Sequence, residues 1–234
     1  MNRNDSFQRF AAIMAIVSFF FAIASDILQG IPVHFSSEVA TNPAMFLAVG
    51  TAGASLLRSG LLLDMLGYYL PLFPLALFLQ HWLKTKNPTW VRFYTACGVG
   101  YILIGATGAV TLAVMQPPLI NAYAQASVDQ RAILETIFGT IWNIVYGGLW
   151  NILGELLIGI WFLGIGSLLR REMRLPGMAG MLIGLAALLD SLGTMLGLEG
   201  LAFLGLSLYI ILAPIWALWI GIELLRKPVQ VQGA

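Results

Sequence analysis

The chain of 234 residues is 59% hydrophobic and only 10% charged, against roughly 45–50% and about 25% in ordinary soluble domains. Its 12 Lys+Arg balance 11 Asp+Glu without a basic run that could track a phosphate backbone, which excludes a nucleic-acid partner, and the single Cys97 excludes a disulfide scaffold. The composition is that of an integral membrane protein, one membrane domain over residues 1–234 embedded in a lipid bilayer.

A hydrocarbon core about 30 Å thick takes about 20 helical residues to cross. Apolar stretches of that length run over residues 7–28, 55–83, 90–115, 146–169, 175–198 and 201–225. They are continuous rather than alternating, so they predict helices and not barrel strands. The expected fold is all-α, a six-transmembrane-helix bundle. Arg3 and Arg9 precede the first stretch, which ends in Ala22-Ile23-Ala24 like a signal peptide with a small-residue cleavage site. The run exceeds the usual 7–15-residue signal core, so a retained first span is expected.

Basic residues orient the bundle. With a cytoplasmic amino terminus, Arg3, Arg9, Lys84, Lys86, Arg92, Arg170, Arg171, Arg174, Arg226 and Lys227 fall inside, leaving only Arg58 and Arg131 outside. That asymmetry predicts a multi-pass protein of the inner (plasma) membrane with both termini cytoplasmic. The outer connections, residues 29–54 and 116–145, are the long ones. In the second, Ser127-x-x-Gln130 has the form of a capping box, and Ile133, Leu134, Ile137, Phe138, Ile141 and Trp142 follow at helical spacing. An amphipathic helix over about 128–145 is expected, lying along the outer surface or extending the fourth span. Asn42-Pro43 opens a shorter helix carrying Met45, Phe46, Leu47 and Val49, and the two together predict a cap over the outer end.

A charged side chain near the bilayer centre costs at least about 2.5–3.5 kcal/mol, so an acid within a span needs a reason. Asp64, Glu155 and Asp190 lie eight or nine residues from the outer ends of their spans, roughly 12–14 Å deep at about 1.5 Å per residue. At about 100° per residue, Asp64 shares a face with Gly60, Gly67, Tyr68, Pro71 and Pro74, and Glu155 with Gly148, Asn151 and Gly159. Asp190 lies on the small-residue half of the fifth span with Gly180, Gly184 and Gly193, the half that should face protein. Pro71 and Pro74 free the carbonyls of Gly67 and Leu70, predicting a kink just below Asp64. The plain alternative is that such acids only donate hydrogen bonds that fix helix packing, with Tyr68, Asn151, Tyr101 and Thr107 as partners. Asp26, Glu199 and Glu223 lie near span ends, where interfacial solvation explains them.

His34 and His81 fall on opposite sides of the membrane, so no shared metal or haem site is expected, and no cofactor. Trp82, Trp90, Trp142, Trp150, Trp216 and Trp219 suit interfacial belts, while Trp161 falls deeper as a packing residue.

The stretches LLLDMLGYYLPLFPLALFL and LPGMAGMLIGLAALLDSLG, with the ending IWALWIGIELLRKP, resemble a bacterial six-span family known only as a domain of unknown function. The resemblance covers Phe7 to about Lys227 and implies six spans, an acid at Asp64 and an acid at Asp190. Glu155 and Asn151 are not carried by the pattern, and the family implies no activity.

The leading expectation is binding or transport of a small cationic, proton-coupled or lipid-like ligand in an outward-opening pocket lined by Asp64, Glu155, Asp190, Tyr68 and Asn151. An accessory or assembly subunit, packing small-residue faces on a partner subunit, is the second. An intramembrane enzyme acting on a lipid or isoprenoid ranks lowest, because no catalytic or metal constellation is evident in the sequence.

Overall fold

The computed structural model describes residues 3–36, 38–39, 42–85 and 87–226. Lys86 and Lys227, two of the basic residues counted above, lie outside the described residues, as does the side chain of Arg3. Helices follow in the order α1 (Arg3–Gly30), α2 (Pro43–Leu47), α3 (Gly50–Asp64), α4 (Leu72–Leu83), α5 (Pro88–Gln125), α6 (Val128–Trp142), α7 (Glu155–Leu169), α8 (Arg174–Leu196) and α9 (Glu199–Arg226). A π-helical turn, Met65–Tyr69, joins α3 to α4, and a longer π-helical segment, Asn143–Gly154, joins α6 to α7.

Local chemistry explains the boundaries. Asn42 accepts from the amides of Ala44 and Met45 and opens α2 at Pro43, while Asn87 accepts from the Trp90 amide and opens α5 at Pro88. Ser127 and Gln130 form the expected capping box at the start of α6. Gly197, at φ 67°, ends α8 in the left-handed conformation, and the Leu198 amide returns to the Gly193 carbonyl at 2.8 Å.

Merged across the π segments, these helices give six rods long and apolar enough to cross a membrane among the described residues: Ser6–Gly30, Gly50–Leu83, Pro88–Gln125, Val128–Leu169, Arg174–Leu196 and Glu199–Arg226. The protein is a multi-pass membrane protein. Each rod packs on its chain neighbours and the last packs on the first, so the six close a ring. The ends cross-brace: Gln8 Nε2 donates to the Leu224 carbonyl at 2.6 Å, and the Phe7 and Phe78 rings lie 6.4 Å apart. Arg9, Lys84, Arg92, Arg170, Arg171, Arg174 and Arg226 thereby share one end, with Arg58 and Arg131 toward the other.

One boundary differs from expectation. The third span was expected to stop at Met115, yet α5 continues through Pro117 and Pro118 to Gln125, because Ile120 and Tyr123 beyond them are buried in a cluster with Phe46, Leu47 and Phe138. Packing there outweighs the amide donors that the prolines lack. Of the two placements expected for the amphipathic helix, α6 takes the second and runs on into the fourth rod. Phe46 of α2 stacks on Phe138 of α6 at 4.8 Å and packs on Trp142 at 5.5 Å, which forms the expected cap.

The small half of α8 is mostly buried, while Leu185, Leu192, Met195 and Leu196 on the other half are exposed, as its periodicity predicts. A Cβ on Gly184 would meet the Leu163 amide at 2.7 Å, so α8 lies tight against α7. Trp216 departs from the interfacial expectation: it is buried, its Nε1 donates to the Pro176 carbonyl at 2.8 Å, and it packs edge-on against Trp161 and Phe162.

Candidate functional site

The kink below Asp64 takes a definite form. The α-helix stops at Asp64, the π turn carries Tyr68 and Tyr69, and the Leu70 amide reaches back five residues to the Met65 carbonyl at 3.0 Å. Pro71 leaves the Gly67 carbonyl without its helical donor, and the Ser18 hydroxyl of α1 donates to it. The fourth rod widens in the same way over Asn143–Gly154 and returns to α-helix at Glu155. Each π segment therefore abuts one buried acid.

Between them lies a cavity of about 240 Å³, lined from α1 by Asp26 and Gln29, from the second rod by Asp64, Tyr68 and Tyr69, and from α5 by Tyr101. The fourth rod adds Tyr146, Trp150, Asn151 and Glu155, and α9 adds Leu206, Tyr209 and Ile210. Tyr146, Trp150, Asn151 and Glu155 recur at spacings of four and five, the periodicity of a helix with i→i+5 bonding. No Lys, Arg or His lines the cavity among the described residues. Arg58 is exposed on α3 and forms no part of the wall.

Asp64 and Glu155 are 8% and 5% exposed, and Asp64 Oδ2 and Glu155 Oε2 take no hydrogen bond among the described residues. Buried polar atoms are normally paired, so two acids on one cavity wall that each hold an unpaired carboxyl oxygen are unusual. The third acid of the wall is engaged: the Tyr68 hydroxyl donates to Asp26 Oδ2 at 3.0 Å. Aromatic rings fill the rest. Tyr69 lies 5.1 Å from Tyr101 and 6.5 Å from Trp150, while the Tyr209 hydroxyl donates to that of Tyr101 at 2.6 Å. Two glycines of α5 make room for these rings, because a Cβ on Gly105 would collide with the Tyr69 ring and one on Gly108 with Trp150. Trp150 Nε1 donates to the Gly105 carbonyl at 3.2 Å, which moves this residue from the expected interfacial belt to the cavity wall.

Of the five residues expected to line a pocket, Asp64, Glu155, Tyr68 and Asn151 share this cavity and Asp190 does not. Asp190 is wholly buried on α8, where its Oδ1 accepts from Thr194 at 3.3 Å and its Oδ2 has no partner among the described residues. The fifth rod stands behind the wall, since Phe162 of α7 meets Trp216 and Tyr209 of α9 in front of it. Asp26, expected at a solvated interface, lines the cavity because the α2–α6 cap extends past the end of α1. Sequence reasoning also missed Gln29, Tyr69, Tyr146 and Tyr209. The signal for the first was present: Ser25, Asp26 and Gln29 are polar at i, i+1 and i+4 of an apolar helix, and Ser25 Oγ donates to the Gly60 carbonyl at 2.9 Å. His34 is exposed in the turn after α1, and His81 lies at the opposite end of the bundle with its Nδ1 3.4 Å from Lys84 Nζ.

No curated protein and no solved structure matches the chain. The model of a family described as a domain of unknown function, DUF4386, matches residues 9–227, nearly the whole length, and the chain belongs to that family.

Proposed function

We propose that this protein binds a small cationic solute in the cavity between α1, α3, α5, α9 and the fourth rod, and moves it into or across the membrane from the capped side. The observation that carries the reading is the pair of nine-tenths-buried acids, Asp64 and Glu155, each with a carboxyl oxygen unpaired on a wall that no basic side chain neutralises among the described residues. Charges within a membrane protein are expensive unless they serve a ligand or find a partner. Binding a cation relieves that cost, and a cation held there is desolvated by protein groups rather than lipid. The capped end is outward in this reading, because the seven basic residues at the other end favour the cytoplasm. The small-residue face of α8, which would suit a partner subunit, is occupied by α7 and α9, so the cavity is the better supported of the two expectations.

The test is equilibrium binding of a panel of small cations to purified full-length protein, with Asp64→Asn and Glu155→Gln as near-isosteric variants. Loss of a charge-assisted hydrogen bond predicts about a tenfold or greater drop in affinity for each. Undiminished cation binding in both folded variants would refute the site.

A further inference from the structure

We infer that the solute is a primary or secondary organic ammonium ion, its N–H groups meeting the unpaired oxygens of Asp64 and Glu155 and its carbon substituent lying against the tyrosine and tryptophan wall. This rests on the cation-site reading above and narrows it to one chemical class.

The donor set argues against a metal ion. Hard cations take six or more oxygen ligands at short range, and the described residues contain no group of three or more His, Cys, Asp or Glu placed to hold a metal. Six of the thirteen lining residues are instead aromatic: Tyr68, Tyr69, Tyr101, Tyr146, Trp150 and Tyr209. Faces of Tyr and Trp attract a cation within about 6 Å of the ring centre, and alkyl groups bury well against them. Tyr69 stands at the middle of this wall, 5.1 Å from Tyr101 and 6.5 Å from Trp150.

The unpaired oxygens argue for N–H donors. Asp64 Oδ2 and Glu155 Oε2 are acceptors on different rods with nothing donating to them among the described residues. A quaternary ammonium brings charge but no N–H, and would leave both acceptors unsatisfied; a primary ammonium brings three donors and a secondary one two. The cavity, about 240 Å³, is smaller than the roughly 300–1,000 Å³ of sites for drug-sized ligands, which limits the substituent to a few carbons. Gln29 and Asn151 supply further amide groups on the wall for a polar substituent.

The experiment is calorimetric titration of the full-length protein in lipid nanodiscs, at constant ionic strength, with the chlorides of ethylammonium, dimethylammonium, tetramethylammonium, potassium and magnesium. Ethylammonium and dimethylammonium should bind at least about tenfold more tightly than tetramethylammonium and potassium. Asp64→Asn and Glu155→Gln should remove that preference. Potassium or magnesium binding more tightly than the ammonium ions, with the same dependence on the two acids, would overturn the ammonium assignment and leave the cation site standing. Tetramethylammonium binding as well as ethylammonium would overturn the N–H requirement. No binding of any of the five by the wild-type protein would overturn both readings and leave a cavity filled only by water. The wild-type panel alone separates these results, so a variant that fails to fold does not blunt the test.

Discussion

Tyr68 has one hydroxyl hydrogen and two acceptors within reach. Asp26 Oδ2 lies at 3.0 Å and the Ile210 carbonyl at 3.4 Å, and that carbonyl is the one whose helical donor Pro214 lacks. The hydrogen therefore serves either a cavity acid on α1 or the proline site in α9. Tyr68→Phe leaves both acceptors short of a donor. It should cost about 1–3 kcal/mol, the usual penalty for an orphaned buried acceptor, read as a lower midpoint of thermal unfolding in detergent; an unchanged midpoint would show that water replaces the hydroxyl. At this scale the sequence is legible where an acid interrupts a long apolar run, as at Asp64 and Glu155. It is illegible at Tyr209, because only the folded ring brings its hydroxyl to that of Tyr101, which was expected as a partner of the acids alone.

Two π segments shape the site, and their effect on register explains which parts of each helix face were foreseen. A pitch of about 100° per residue brings Asn151 and Glu155 inward, but it turns Trp150 and Tyr146 roughly 140° and 180° away from Glu155. The i→i+5 bonding over Asn143–Gly154 adds them to the wall. No residue pattern announces a π segment, whereas the prolines announced the break after Asp64. The widened register is a single-residue property, so removing one residue within it should restore α pitch. Deletion of Gly147, which has open space where a Cβ would stand, should leave helix content by circular dichroism unchanged. It should also cut affinity for the bound cation about tenfold or more by turning Tyr146 away from Glu155. Retained affinity in the deletion protein would show that the wider turn is not needed for the site.

At the scale of the molecule, six rods were readable from hydropathy, since each needs only length and apolar content. Their closure into a ring was not, because it depends on close backbone approaches such as Gly205 of α9 against Asp190 of α8, which place the fifth rod behind the wall and take Asp190 out of the cavity. The charge asymmetry between the two ends makes a direct prediction. The single cysteine, Cys97, is buried, so added cysteines report with little background. A membrane-impermeant maleimide should label Arg131→Cys in intact cells and Arg171→Cys only after permeabilisation; the opposite pattern would invert the orientation. The fourth rod, Val128–Leu169, has 42 residues, about twice the roughly 20 that a hydrocarbon core near 30 Å takes to cross. With Tyr146 taken as the outer end of the expected span, Glu135, Arg131 and Asp129 on α6 stand 11 to 17 residues beyond it, roughly 16–26 Å, past the roughly 10 Å over which salt at 0.1 M lets a charged surface be felt. On the proposed reading, a cation approaching this end meets a field set by these three side chains, and its entry is decoupled from the headgroup composition of the surrounding bilayer.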